Sequence, residues 1–158
     1  MDRIAIFPGS FDPITKGHES VIKRALPLFE KIYVSIGTNT TKNNFFSLEK
    51  RINMIKHVFR NDPKIIVESY EGLTIDYLKE KNVTYILRGL RTSADFEYER
   101  AIAQMNKMMN NKLETVFLLT TPELTAINST VVREILRYNG DVTAFVPNDI
   151  IDMVKTTK

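Results

Sequence analysis

Cysteine is absent from this chain of 158 residues, which excludes a disulfide framework, a thiolate zinc site and a thiol nucleophile. No apolar run approaches the ~20 residues that a membrane-crossing helix needs. The segment after Asp2 and Arg3 enters a strand-like pattern without the apolar core of a signal peptide. These features predict a cytoplasmic protein with no membrane contact. An excess of one charge is lacking too: 22 Lys and Arg stand against 19 Asp and Glu, and the net +3 permits anionic ligands without requiring nucleic acid. Internal repeats, low-complexity tracts and linker-like stretches are missing as well.

What remains is the composition of an ordinary globular protein, with 43% apolar and 26% charged residues. A single domain over residues 1–158 of this size buries roughly 68–70% of the surface its unfolded chain exposes, so no covalent staple is needed.

The chain alternates strand and helix patterns. Strands are predicted at Ile4 to Phe7, Ile32 to Ile36, Ile65 to Glu68, Val83 to Leu87 and Thr115 to Leu119, each a short apolar run. Helical spacing is predicted from about Gly17 to Phe29, and again after Ser47, an N-cap type, where Leu48, Ile52, Ile55 and Phe59 recur on one face. A short helix follows Gly72, and a long one follows Asp95, read as its cap. Tyr98, Ile102, Met105 and Met109 form a stripe on that long helix, a pattern that predicts core or a subunit contact rather than a cofactor site. A further helix runs from Ser129 to Gly140, read as its C′ residue, and a last one follows Pro147. Such alternation predicts an α/β fold: a five-stranded parallel sheet with helices on both faces. If its strand order is 3-2-1-4-5, strands one and four are neighbours at the reversal.

In that fold, ligands gather beyond the carboxyl ends of the strands, where the strand order reverses. Three loops fall there. The first, Phe7 to His18, joins two prolines that fix φ to two glycines that allow close approach, and carries hydroxyls at Ser10 and Thr15 and an imidazole at His18. It suits phosphate held against a helix N-terminus, and equally a tight turn with a capping histidine. The second, Arg88-Gly89-Leu90-Arg91, is read as a turn that breaks its strand and offers two guanidinium forks, or as a solvated basic turn. The third, Leu124 to Thr130, leads into a helix whose start at Asn128-Ser129-Thr130 is an ordinary cap run able also to hold a triphosphate tail. Lys42 alone is a loop lysine.

Gly9-Ser-Phe-Asp-Pro followed by Thr15-Lys-Gly-His18 resembles the T/HxGH signature of the nucleotidyltransferase superfamily. With Lys42, Arg88 to Arg91, Asp95-Phe-Glu-Tyr-Glu99 and Ile127-Asn-Ser-Thr130 in order over nearly the whole chain, the set resembles the phosphopantetheine adenylyltransferase family. The resemblance implies a Rossmann-like nucleotidyltransferase fold of strand order 3-2-1-4-5, and adenylyl transfer from ATP to 4′-phosphopantetheine, giving dephospho-coenzyme A and pyrophosphate, with Mg2+, in a homohexamer inhibited by coenzyme A. It implies His18 as transition-state stabiliser. Around ATP it puts Ser10, Phe11, His18, Gly89, Leu90, Arg91, Glu99 and the run Leu124, Thr125, Ala126, Ile127, Asn128, Ser129 and Thr130. On the phosphopantetheine it puts Ser10, Lys42, Thr74 and Arg88.

Two positions depart from the family pattern, Asn128 where Ser is usual and Thr74 where a larger apolar residue is expected, and the segment Leu124 to Ala126 differs from the aromatic-containing one expected. The motif set holds cations, hydroxyls and an imidazole but no poised carboxylate base. A phosphate monoester nucleophile needs none, because its second pKa near 6 leaves it about nine-tenths dianionic at pH 7. Other readings are a nucleotidyltransferase for another acceptor, such as a nicotinate mononucleotide or a polyol phosphate, a nucleotide sensor without turnover, and an RNA-binding module suggested only by the basic pI.

Overall fold

The computed structural model describes residues 2–38 and 43–156. Five parallel strands form one sheet in the order β3-β2-β1-β4-β5: β1 (Ile4–Gly9), β2 (Lys31–Thr38), β3 (Ile65–Glu71), β4 (Tyr85–Leu90) and β5 (Glu114–Leu119). Parallel neighbours need crossovers, and the helices supply them: α1 (Lys16–Ala25), α2 (Leu48–Val58), α3 (Thr74–Glu80) and α4 (Ser93–Met109), followed by α5 (Ser129–Arg137) and α6 (Ile151–Lys155). The parallel direction is the one the alternation predicts, and the strand order is the 3-2-1-4-5 that the resemblance implies.

Side chains alternate across the strands and so build two cores. Ala5, Phe7, Ile32, Val34 and Ile36 face one side and pack with Val21 and Ile22 of α1, Met54 and Ile55 of α2, and Val132 of α5. Ile6 and Ile86 face the other side, in a smaller cluster with Ile75, Tyr77 and Leu78 of α3. Helix α4 also flanks the second side, yet none of its residues is buried. The Tyr98, Ile102, Met105, Met109 stripe is therefore not core in this chain: all four are exposed.

Several predicted boundaries shift for identifiable reasons. Helix α1 ends at Ala25 because Pro27 follows, and the chain tightens into a 3-10 turn over Leu26–Leu28. The segment read as a strand-breaking turn, Arg88 to Leu90, is strand. Arg88, Gly89 and Leu90 stay in register with Phe117, Leu118 and Leu119 of β5, and the ladder outweighs the local turn signal. Gly89 lets α1 press on the sheet there, since a Cβ at that position would sit 3.1 Å from Val21 Cγ2. Asp95 is not the cap of α4. Thr92 is, accepting from Asp95 N–H, while Asp95 accepts in return from Arg91 N–H. Nor is Gly140 the left-handed residue after α5: Asn139 takes φ 57°, and Gly140 N–H closes onto the Ile135 carbonyl.

Candidate active site

The carboxyl ends of β1 and β4 lie side by side where the strand order reverses, and two cavities open there. They share Pro8, Gly9, Ser10 and Arg88. The second cavity, of about 420 Å3, is built from helix starts. Thr15 caps α1 and Asn128 caps α5, its side chain accepting from Val131 N–H at 2.9 Å, so the free N–H groups of two helices belong to one wall region. Arg88, Arg91 and Arg133 line it. Its one carboxylate, Asp12, is buried and occupied: the two oxygens accept from Phe45 N–H at 2.7 Å and Phe46 N–H at 2.8 Å. The cavity thus offers donors and positive charge without a free base.

The first loop is braced from several sides. Arg51, buried beneath it, donates to the Ser10 carbonyl at 2.8 Å and to the Phe46 carbonyl at 3.1 Å. Burial pulls its pKa down, and Asp12 opposes that shift. From α5, Arg133 donates to the Asp12 carbonyl at 2.9 Å and Ser129 to the Pro13 carbonyl at 2.9 Å. Phe11 takes φ 47°, a left-handed conformation that a non-glycine residue holds only at a cost of about 1–3 kcal/mol. That conformation puts its ring against Phe7 at 5.7 Å and His18 at 5.1 Å.

His18 is the third residue of α1 and closes a capping box. Thr15 N–H donates to Nδ1 at 3.0 Å, and Thr15 Oγ1 accepts from His18 N–H at 3.4 Å. A nitrogen that accepts a backbone N–H carries no proton, so the neutral ring is protonated at Nε2, which has no protein partner among the described residues. Burial lowers the His18 pKa from 6.5 to about 4, with Arg88 and then Arg91 adding repulsion. His18 is half-buried and lines the cavity, with its ring packed against Phe7 and Phe11. His18 is a neutral donor at physiological pH.

The first cavity, of about 380 Å3, is mainly apolar. Ile75 and Leu73 lie on one side, Ile102 and Met109 of α4 on another, with Tyr70 and Thr74 between β3 and α3. At its border with the second, Arg88 is fixed by Glu99, Nε to Oε2 at 2.9 Å and Nη2 to Oε1 at 2.5 Å, and donates to the Pro8 carbonyl at 2.6 Å. The guanidinium is held at the junction by three bonds.

Of the residues expected around ATP, Ser10, Phe11, His18, Gly89, Arg91, Ile127, Asn128, Ser129 and Thr130 line the second cavity. Leu90 is buried. Leu124, Thr125 and Ala126 are not in that lining, and Leu124 borders a separate depression beside α1. Glu99, expected around ATP, lines the first cavity instead, where it grips Arg88. Ser10, Thr74 and Arg88 line the first cavity as well; Lys42 lies outside the described residues. Arg133 and Tyr70 were not singled out by the sequence. A basic residue one turn into a candidate phosphate-binding helix, and an aromatic at the carboxyl end of a strand, were the available signals. Among the described residues no cluster of three or more His, Cys, Asp or Glu could hold a metal ion, so these side chains do not form a magnesium cage. Among the described residues no helix is long and apolar enough to cross a membrane.

Residues 6–135 match the cytidylyltransferase-like family model. A phosphopantetheine adenylyltransferase of Flavobacterium johnsoniae is 51% identical over 94% of this chain and 97% of its own. One from Cytophaga hutchinsonii is 46% identical over 95% and 100%, and one from Bacteroides fragilis 48% over 92% and 96%. A bifunctional NMN adenylyltransferase/ADP ribose pyrophosphatase from Francisella tularensis superposes with a TM-score of 0.74 at 19% identity. It covers 95% of this chain and 46% of that one, a likeness of fold.

Proposed function

Because the chain belongs to the phosphopantetheine adenylyltransferase family, we propose that it joins the adenylyl group of ATP to 4′-phosphopantetheine, with ATP in the second cavity and the pantetheine arm in the first. The observation that carries this reading is the shared border: two cavities of opposite character, one cationic and one apolar, meet at Gly9, Ser10 and Arg88. A triphosphate suits the two helix starts and three arginines. An uncharged organic arm suits the apolar wall, with its phosphate end at the border.

In this mechanism a phosphate oxygen of the acceptor attacks the α-phosphorus of ATP in line. The new P–O bond forms as the bond to the β-phosphate bridging oxygen breaks, and pyrophosphate leaves with the electron pair. The nucleophile is already ionised, so no side chain removes a proton. The barrier lies in bringing two anions together, and fixed donors answer it. Arg88, immobilised by Glu99, meets both reactants; Arg91 and the helix starts hold the triphosphate. His18 donates from Nε2 to the oxygen on which charge builds. Lys42 joins on the acceptor's phosphate. Magnesium belongs to this reading through the family alone: it would arrive on the triphosphate, and no step here depends on it. A cytoplasmic homohexamer, inhibited by coenzyme A, completes the proposal, and Tyr98 and Met105, exposed on α4 outside the first cavity, suit packing against another copy.

Purified protein given ATP and 4′-phosphopantetheine should yield dephospho-coenzyme A and pyrophosphate in equal amounts. Turnover with a nicotinate mononucleotide instead, or ATP binding without pyrophosphate release, would overturn the assignment.

A further inference from the structure

Besides Ser10, Arg88, Glu99, Asn106 and Thr115, the wall of the first cavity carries a hydroxyl pair where apolar residues would have served. Tyr70, near the end of β3, and Thr74, the first residue of α3, bring their hydroxyls to 2.8 Å of each other. Gly37, paired with Tyr70 across the sheet, faces the same phenol: a Cβ there would be 3.1 Å from Tyr70 Oη. All three line the cavity. One hydroxyl of such a pair donates to the other, which leaves the second O–H free to donate and lone pairs free to accept. Either oxygen can be the donor, so the pair offers both kinds of hydrogen bond to a ligand.

Behind this pair stands a network, buried at Ser35 and Tyr77 and partly open at Glu68 and Lys81, that the reaction does not use. The Tyr70 ring stacks on Tyr77, centroids 4.3 Å apart and planes 7° from parallel. Tyr77 Oη lies 2.9 Å from Ser35 Oγ, which is fully buried, and donates to Glu68. Lys81 pairs with that same carboxylate at 2.9 Å. Phenylalanine at position 77 would fill the same core volume. The hydroxyl instead fixes the ring on which Tyr70 rests.

We propose that the Tyr70–Thr74 hydroxyl pair is the acceptor-specificity element of the first cavity, reading a secondary amide in the acceptor's arm, and that Tyr77, tied to Ser35 and Glu68, positions it. This rests on the reading that 4′-phosphopantetheine occupies that cavity. Its arm carries two amides, and an amide presents one acceptor and one donor, the complement of the pair. A wall built to hydrogen-bond discriminates against a ligand lacking the group far better than an apolar wall selects by size.

The test uses the full chain and the variants Tyr70→Phe, Thr74→Val and Tyr77→Phe. Ligands are ATP, 4′-phosphopantetheine and two analogues, each with one amide N–H replaced by CH2. Kd is measured by calorimetry, KM and kcat by pyrophosphate release, and Tm by circular dichroism. Tyr70→Phe and Thr74→Val should weaken 4′-phosphopantetheine about 3- to 10-fold, the scale of one hydrogen bond, with the Kd for ATP within about 2-fold. The wild-type protein should reject one analogue by a similar factor, and both variants should lose that discrimination. Tyr77→Phe should weaken the acceptor about 2- to 3-fold without moving ATP. Unchanged acceptor binding in the hydroxyl variants of a protein that does turn over 4′-phosphopantetheine would refute the pair's role alone. So would a parallel loss for both substrates with a lowered Tm. A wild-type protein that neither binds nor uses 4′-phosphopantetheine would instead bring down the functional reading and the amide claim together.

Discussion

His18 serves two purposes that substitution can separate. It closes the capping box of α1 through Nδ1, and it presents Nε2–H to the second cavity. Alanine removes both. Glutamine keeps the first, since Gln is the other natural partner in a Thr-x-x-Gln box and its oxygen can accept from Thr15 N–H. Loss of a cap interaction costs about 1 kcal/mol of stability. Loss of one preorganised donor at a site of developing charge costs about 2.7–4 kcal/mol of transition-state stabilisation, or about 10²–10³ in kcat. His18→Ala should therefore lose both; His18→Gln should melt like the wild type and still turn over about 100-fold more slowly or worse.

The pH dependence sharpens this test. With a pKa lowered to about 4, fewer than about one ring in a hundred is charged at pH 7. The acceptor's own phosphate, with a second pKa near 6, must produce the acid limb of the rate profile. That limb should persist, at reduced height, in both variants. The stability profile has the opposite owner. Between pH 6.5 and 4 the unfolded histidine takes up a proton that the folded one refuses. Stability is therefore full above 6.5 and falls by up to about 3 kcal/mol as pH drops through this window. Urea titrations of wild type and His18→Gln at pH 7 and pH 4.5 read that loss as a difference between the two proteins. Wild-type turnover in His18→Gln, or an acid limb that disappears with the histidine, would refute the neutral-donor argument.

Other positions give simpler expectations. Arg88→Met should raise the KM for both ATP and the acceptor, because the side chain borders both cavities; a change confined to one substrate would contradict its place at the junction. Asp12→Ala strands the Phe45 and Phe46 N–H groups and should cost about 2–4 kcal/mol in urea denaturation, whereas less than about 0.5 kcal/mol would mean the loop is held by other contacts. Gly140→Ala puts a Cβ 2.5 Å from Ile135 Cγ2 and 3.1 Å from the Ile135 carbonyl, so it should lower stability by about 1–3 kcal/mol with kcat unchanged in the pyrophosphate assay.

The parallel sheet and the loop positions were legible because they rest on periodicity and on the crossover rule, both of which survive any detail of packing. The strand order came with the resemblance and not from the pattern. The ends of elements were less so. Arg88 reads as a turn residue next to Gly89, yet the ladder to β5 carries both through as strand. No local pattern reports a partner strand that lies about 30 residues away in sequence. Asp95 and Thr92 are both acceptable caps by residue type, and only the bond that Thr92 Oγ1 accepts from Asp95 N–H decides between them. Tyr70 and Arg133 were overlooked for another reason. Tyr70 reaches the cavity from the far side of the sheet reversal and Arg133 from one turn inside α5, so their roles depend on tertiary placement that no motif spacing encodes.

The strand placement of Arg88 changes how the two cavities relate. An arginine on a solvated turn could follow whichever anion arrived first. Held in the β4 ladder, paired bidentately with Glu99 and bonded to the Pro8 carbonyl, the guanidinium has little freedom to do so. Glu99 comes from α4, which lines the first cavity, while the Pro8 carbonyl belongs to the end of β1, which borders both cavities. On the proposed reading the cation is stationed between the reactants before either binds, and its alignment is independent of their order of arrival. Preorganisation of this kind confers its advantage only in the transition state, where both phosphates press on the same charge. Glu99→Gln keeps the hydrogen bonds possible but weakens their charge-assisted hold on Arg88. It should lower kcat about 10-fold while leaving the Kd for ATP within about 2-fold. A variant with normal kcat and impaired ATP binding would place Glu99 among the nucleotide ligands instead of behind the arginine.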